Sequence, residues 1–404
     1  MNRFEPVISL EEAFDIVDKT MAHAKPVGET VSVRAAMGRV VIADQRSRLD
    51  LPPFDKSAMD GYAVPANDEH DEYKVLEVVP AGHVGKQALR PGAAIKVMTG
   101  AAVPAGTGRV IILEHAEERG NRMRVTKRDG AANICRQGED VRAGDVVLAG
   151  STALGPIEIA NLVSCGITEI GVAKRPRVTV LSTGDEIVDS PDAITPGKIM
   201  NSNGPMLAAL AEQHGMEIVT EQSIPDDRKA TESAILRAVR DSDITLLSGG
   251  VSVGEFDFVL GGLASAGLKV HFSRIAVQPG KPTVYATTSD GRAVFGLPGN
   301  PVSVFVMFHL FVLRAADRMV GKHPERREFL LPLGTEVKRR KADRIAFLPA
   351  KITKEGAVET VAFHGSAHLM ALMSADGFLQ IPIGVSEIAK GEVVSFLPMI
   401  RCLG

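Results

Sequence analysis

The chain is short of three things. It carries 3 cysteines in 404 residues, Cys135, Cys165 and Cys402, far apart and with no Cys-x-x-Cys pair. That excludes a disulfide framework and a cysteine zinc site, and it fits a reducing cytoplasm. It has little net charge, formally −3, which argues against non-specific adhesion to nucleic acid or an anionic membrane. It also lacks an apolar run long enough to cross a bilayer, and its start has no basic-then-apolar signal segment. The expectation is a cytoplasmic protein whose partners include neither nucleic acid nor membrane.

What is present is the composition of a folded protein. Hydrophobic residues make up 45% and charged residues 24%, and 39 glycines and 23 prolines mark many turns. The length exceeds one ordinary core, so two to four domains are expected. Ser9 and Glu12 form a capping-box pair opening a helix that carries Phe14, Val17 and Met21. The segment 51–63, with Pro52, Pro53 and Asp60-Gly61, reads as an ordered loop leading into a strand. Short runs at 73–79, 94–98, 109–113 and 122–127 predict a small β-rich domain, and Asn133 to Asp140 a polar loop. Pro156 marks the start of a helix over 157–163.

Near residue 175 the pattern becomes alternating strand and helix. Strands are expected at 178–181, 218–224, 244–247, 270–277, 283–286 and 293–297, and helices at 206–214 and 230–240. Asn300 as N-cap and Pro301 at the first helical position open a helix reaching about Met319. This succession implies α/β architecture: an open, largely parallel sheet covered by helices on both faces. Strands at 330–337, 345–353, 358–363, 377–383 and 392–397 then predict a C-terminal β-barrel-like domain or sandwich.

The stretch from Asp243 to Asp257 organises the functional reading. A buried-strand pattern ends in Ser248-Gly249-Gly250, Gly254 follows, and apolar residues at helical spacing come next. Strand, glycine turn and helix start together frame an anion site; a tight turn that binds nothing is the bland alternative. In a doubly wound sheet, ligands sit outside the carboxyl ends of the strands. Sorting the loops by that rule gathers Ser182, Thr183, Gly184, Asp185 and Glu186 with Asp226 and Asp227. It adds 248–257, Pro279-Gly280-Lys281 and Pro298-Gly299-Asn300. Carboxylates beside phosphate-compatible turns point to Mg²⁺ bound with a phosphorylated ligand. Elsewhere, Gly365 argues against a helix presenting His364 and His368 to a metal. Lys338 to Lys341 reads as a solvated hairpin tip, and Met370, Leu372 and Met373 as β-domain core or interface.

Several segments resemble one family. They are 54–63, Met98 to Ala101, Ser182 to Glu186, Ser248 to Gly254 with Asp257, Pro279 to Pro282, and Gly296 to Ser303. In order and over nearly the whole chain, they resemble the molybdopterin molybdenumtransferases, bacterial relatives of the gephyrin E domain. The resemblance implies an elongated homodimer of four domains: 1–45 with 141–174 as a discontinuous linking and dimerisation domain, a β-rich lid at 46–140, an α/β molybdopterin-binding domain at 175–325, and the C-terminal domain at 326–404. It implies insertion of molybdate into adenylylated molybdopterin with Mg²⁺ and release of AMP. The metal and the pterin phosphate would fall to Glu186, Asp226 and Asp257, with Asp60 also in the catalytic set. Substrate binding would involve Thr99, Asp140, Ser182, Thr183, Gly184, Gly249, Gly250, Ser252, Gly254, Lys281, Pro298, Gly299, Asn300, Pro301 and Ser366. The implied partners are the molybdopterin adenylyltransferase and molybdoenzyme-maturation proteins.

The departures are Cys135, Gln278 and Pro349, at positions where the family often has arginine, lysine and arginine. Each removes a potential anion contact. Two other functions fit parts of the pattern. A molybdopterin adenylyltransferase would need only the middle third, so the flanking β domains favour the molybdenumtransferase. A non-catalytic pterin carrier or scaffold would not need Asp60, Glu186, Asp226 and Asp257 together.

Overall fold

The computed structural model describes residues 6–22, 24–128, 130–250 and 258–399, which divide into two compact units, 30–172 and the remainder.

In the larger unit, β-branched and leucine-rich runs form a six-stranded sheet. Its strands are β1 (Arg177–Thr183), β2 (Glu217–Ile224), β3 (Ile244–Ser248), β4 (Lys269–Phe272), β5 (Val284–Thr287) and β6 (Ala293–Leu297), in the spatial order β2-β1-β3-β6-β5-β4. The first four of that order run parallel, and β5 and β4 finish the sheet antiparallel. Alternation of side chains sends successive residues to opposite faces. Val178, Val180, Ile244, Leu246 and Phe295 share one core with α1 (Leu10–Met21), α2 (Asn203–Gln213), and the long helical segment after residue 300. Leu181, Leu247 and Val294 share the other core with α3 (Arg228–Asp241) and α4 (Phe258–Ser265). Both faces are thereby covered, as expected for α/β architecture.

The long helical segment is not uniform. It runs as α5 (Pro301–Met307), a π-helical turn (Phe308–Val312) and α6 (Leu313–Met319). In the π turn the half-buried His309 ring contacts the Phe305 carbonyl oxygen through Nδ1 at 2.9 Å. On α6, Arg314 and Arg318 donate from Nε to Asp18 Oδ1 of α1, at 2.9 and 3.1 Å.

The expected single strand over 270–277 is two strands in different sheets. Lys269–Phe272 ends the α/β sheet, whereas Val277–Gln278 runs parallel to Ile345–Ile352 in the C-terminal sheet. Ser273 to Ala276 carry the chain across, with the Ile275 N–H donating to the Lys281 carbonyl at 3.0 Å. The rest of that sheet is antiparallel: Ile345–Ile352, Gly377–Ile381, Val393–Pro398 and Phe329–Pro332. Beside it, Arg339 corrects the solvated-tip reading. Its guanidinium donates to the carbonyls of Val385, Arg344 and Pro382 at 2.5–2.8 Å and stitches two loops together. Met370 and Met373 are not core residues of this chain. They lie on one short helix, 67% and 69% exposed, and Ala371 and Leu372 between them are the buried pair.

In the smaller unit, Thr107–Ile112, Gly61–Pro65, Ala93–Val97, Glu72–Val79, Arg122–Val125 and Ala116–Arg119 form a mostly antiparallel sheet. Tyr62 and Val64 enter one core, and Ala63, between them, the opposite one. A third core joins Val33, Ala36 and Val41 to Leu154, Leu162 and Ile167 around the helix Pro156–Ser164.

Candidate functional site

The four parallel strands end together. Thr183 at the end of β1 pairs with Ile224 of β2, and Ser182 with Ser248 of β3, which in turn pairs with Leu297 of β6. The loops that leave these ends enclose a cleft of about 280 Å³ lined by Thr183, Gly184, Glu186, Asp226, Gly249, Gly250, Pro298, Gly299 and Asn300. All nine were expected in the site from the sequence; Pro282, which also lines the cleft, was not.

Its floor is a glycine turn. Gly249 and Gly250 have φ of +91° and +62°, where a side chain is strained. Space forbids one as well, because a Cβ on Gly249 would sit 2.4 Å from the Thr183 carbonyl oxygen. Beside the turn, the hydroxyls of Ser182 and Thr183 and the side-chain carbonyl of Asn203 are buried and have no partner among the described residues. Polar atoms left open in this way concentrate where something else binds or moves.

One wall is acidic. The Asp226 N–H donates to Asp185 Oδ1 at 3.1 Å, and the Asp185 N–H returns to Asp226 Oδ2 at 3.4 Å. Burial holds the Asp226 carboxyl above the usual aspartate range, and the charges of Asp185 and Glu186 push the same way against the bond from the Asp185 N–H. Lys198 donates to the carbonyl of Asp185, not to a carboxylate. Among the described residues, no three His, Cys, Asp or Glu side chains form a metal-binding group. The acidic wall thus offers hard oxygens in ones and twos. That donor set fits Mg²⁺, which takes its remaining ligands from phosphate and water.

The opposite wall is the turn before α5. Asn300 occupies the N-cap position, but its side chain does not cap the helix. Its Nδ2 donates instead to Ser366 Oγ at 2.8 Å, and the Ser366 carbonyl accepts the Val302 N–H at 3.0 Å. Ser366 is therefore a brace for this wall. Lys281, next to Pro282, exposes an amino group with no ion pair among the described residues.

Other expected residues lie elsewhere or outside the description. Asp60 and Thr99 pair in the smaller unit, with the Thr99 N–H and hydroxyl donating to Asp60 Oδ1 at 2.6 and 2.7 Å. These bonds, the backbone one foremost, hold the Asp60 carboxyl below its usual range. Asp140 joins two distant segments there, its N–H donating to the Leu51 carbonyl at 2.9 Å beside the Leu51–Val141 bridge. Ser252, Gly254 and Asp257 fall outside the described residues. Cys135 sits in a short strand opposite Lys56, and its neighbour Arg136 is spent on Asp55 at 2.6 Å. Gln278 pairs with Ala346, and Pro349 is buried in its strand opposite Phe378. His364 and His368 stack with centroids 5.0 Å apart.

Asn203 was missed because the helix was expected to begin at Met206; the polar cluster Asn201-Ser202-Asn203 was the available signal.

Known proteins resemble this chain over nearly its whole length. A molybdopterin molybdenumtransferase of Staphylococcus epidermidis is 30% identical over 401 residues, spanning 96% of this chain and 95% of that protein. The chain belongs to the molybdopterin molybdenumtransferase family. This is a transferase family of molybdenum cofactor biosynthesis, and a second member, from Staphylococcus aureus, is 32% identical over 379 residues, covering 91% of this chain and 90% of its own. Three family models match in order: the MoeA N-terminal region (domain I and II) over residues 8–166, the probable molybdopterin binding domain over 179–318, and the MoeA C-terminal region (domain IV) over 331–399. The crystal structure of the molybdopterin biosynthesis moeA protein from Pyrococcus horikoshii OT3 matches with a TM-score of 0.85 at 30% identity, covering 98% of this chain and 100% of that one. The cleft lies within the segment matched as molybdopterin binding.

Proposed function

We propose that this member of the family inserts molybdate into adenylylated molybdopterin and releases AMP in a Mg²⁺-dependent reaction. The observation that carries this reading is the cleft at the strand ends, which sets a positive-φ glycine turn beside two carboxylates, Glu186 and Asp226. The pterin's own dithiolene sulfurs receive the molybdenum, so the protein need not supply thiolates. Its 3 scattered cysteines suit that chemistry.

The chain's part is to bind and orient. The Gly249-Gly250 turn lets backbone approach phosphate oxygens closely, and Pro298 to Asn300, braced by Ser366, forms the facing wall. Lys281 adds a cation beside Pro282. Glu186 and Asp226, with Asp257 by resemblance, would hold Mg²⁺, which when bound neutralises charge at the phosphoanhydride. Asp60, Thr99 and Asp140 are assigned to the site by resemblance alone. The homodimer, the cytoplasmic setting and the supply and removal of pterin by an adenylyltransferase and maturation proteins belong to the same proposal. So does the four-domain division. In its support, residues 33–41 share a core with 154–172 and not with the sheet between them; α1, by contrast, packs in the core of the α/β sheet and falls in the larger unit, not in the linking domain. No described helix is long and apolar enough to cross a membrane.

The test is AMP release from adenylylated molybdopterin with Mg²⁺, with and without molybdate. Molybdate-stimulated release with formation of active cofactor is expected. Tight pterin binding without molybdate-dependent release would overturn the proposal in favour of a carrier. Formation of the adenylylated pterin from ATP would overturn it in favour of an adenylyltransferase.

A further inference from the structure

Asn203 is the first residue of α2, and its side chain reaches two other elements. Nδ2 donates to Ser248 Oγ at 2.8 Å and to the Gly299 carbonyl at 2.7 Å. A carbonyl only accepts, so the bond to Gly299 fixes which end of the amide is which. Ser248 is the last residue of β3, immediately before the Gly249-Gly250 floor, and Gly299 lies in the middle of the facing wall. One NH₂ group thus ties floor to wall. The carbonyl end of the same amide is buried and has no partner among the described residues. An asparagine kept only to satisfy the fold would use both ends.

Two residues earlier, Asn201 makes a matching tie on the acidic side. Its Oδ1 accepts the Gly204 N–H at 3.0 Å, and its Nδ2 donates to Asp189 Oδ1 and Ser223 Oγ, each at 3.1 Å. Ser223 lies three residues before Asp226 on β2. The tripeptide 201–203 therefore connects the elements that deliver the acidic wall, the glycine floor and the facing wall.

We infer that Asn203 is a positioning residue for the transfer reaction, holding the Gly249-Gly250 turn and the Pro298–Asn300 turn at the spacing the phosphorylated substrate requires. The inference rests on the assignment of this cleft to the substrate. A bolt of this kind acts on binding and on the reacting geometry together, because small misplacements of contact groups are costly.

The experiment measures kcat and KM for adenylylated molybdopterin in Asn203→Ala, Asn203→Asp, Ser248→Ala and Glu186→Gln, with thermal melting of each. Asn203→Ala should raise KM about tenfold and lower kcat about tenfold. Ser248→Ala, which spares the bond to Gly299, should lose less, and adding it to Asn203→Ala should lose nothing more. Asn203→Asp sets a carboxylate against the Gly299 carbonyl at neutral pH. On acidification its carboxyl gains a proton to donate, so its kcat/KM relative to wild type should rise. Should Asn203→Ala fail to fold, the Asp pH profile and the Ser248 variant decide. Asn203 variants within twofold of wild type, alongside an impaired Glu186→Gln, overturn the inference alone. Asn203 and Glu186 variants all within twofold overturn the assignment of the cleft as well.

Discussion

Two aspartates, Asp226 in the larger unit and Asp60 in the smaller, show how one residue type is set to different ends. Asp60 is already answered: two donors from Thr99 converge on one oxygen, and the carboxyl is held below its usual range. Asp226 is left wanting. Burial and the neighbouring charges of Asp185 and Glu186 hold its carboxyl up, with one backbone donor in opposition. The first arrangement locks a turn with an anion the protein has satisfied. The second keeps a carboxylate whose charge is best relieved by a cation from outside, which is where a Mg²⁺ reading gains physical content. Within one chain, the donors around a carboxylate separate one whose charge the protein already meets from one left to seek a cation more clearly than sequence position does.

The sharpest way to break this contrast is to damage the floor and leave both aspartates intact. Gly249→Ala puts a methyl against the Thr183 carbonyl at a φ of +91°. Turnover should fall about 100-fold or more, since a shift near 1 Å costs that much; an unaffected rate measured at saturating substrate would remove the cleft from the mechanism. Next in size is Asp226→Asn, expected to lower turnover about 100-fold while raising the melting temperature at neutral pH. An acid whose folded pKa is raised holds more protons when folded, so its contribution to stability is lost as pH rises through that value. Asparagine escapes the loss. Because the group is only half-buried, solvent screens the effect and the gain is under about 1 kcal/mol, roughly 2 °C. Melting with and without Mg²⁺ should show a stabilising shift in wild type that Asp226→Asn lacks. The smallest effect on melting belongs to Asp60. Its lowered pKa contributes stability above the ordinary aspartate range, lost as pH falls through the folded value. Asp60→Ala should therefore melt lower than wild type at neutral pH, and the gap should close in acid. Asp60→Asn, which keeps an acceptor for Thr99, should stay closer to wild type. Equal loss in both would mean that charge, not the turn, is what matters at Asp60.

Much of the fold was legible because its signals are local. The Ser9–Glu12 capping box operates within one turn, and both of its bonds form, at 2.8 and 3.1 Å. The site was legible where motif and strand end coincide, as at Thr183 to Glu186 and Gly249-Gly250. What sequence could not convey is where a side chain looks for its partner. Asn300 has the position of a cap, yet its amide goes to Ser366, 66 residues away. Asn203 looked like the approach to a helix, because nothing near it announces Ser248 or Gly299 as acceptors. The 270–277 run is apolar enough for one strand, but tertiary pairing divides it between two sheets. Met370 and Met373 have core-like chemistry and stand in solvent.

The π-helical turn at Phe308–Val312 has a mechanical meaning. An α-helix advances about 100° per residue, so its two ends are locked in phase. Bonds closed five residues apart change that phase part-way along. Before the turn, the helix abuts the cleft wall through Val302 and Ser366; after it, Arg314 and Arg318 grip Asp18. Wound as an unbroken α-ladder, the same residues would swing both arginines about 100° off their carboxylate. The segment works as a camshaft, two lobes set at different angles on one axle, so that a single helix can serve two surfaces that an unbroken one could not face at once.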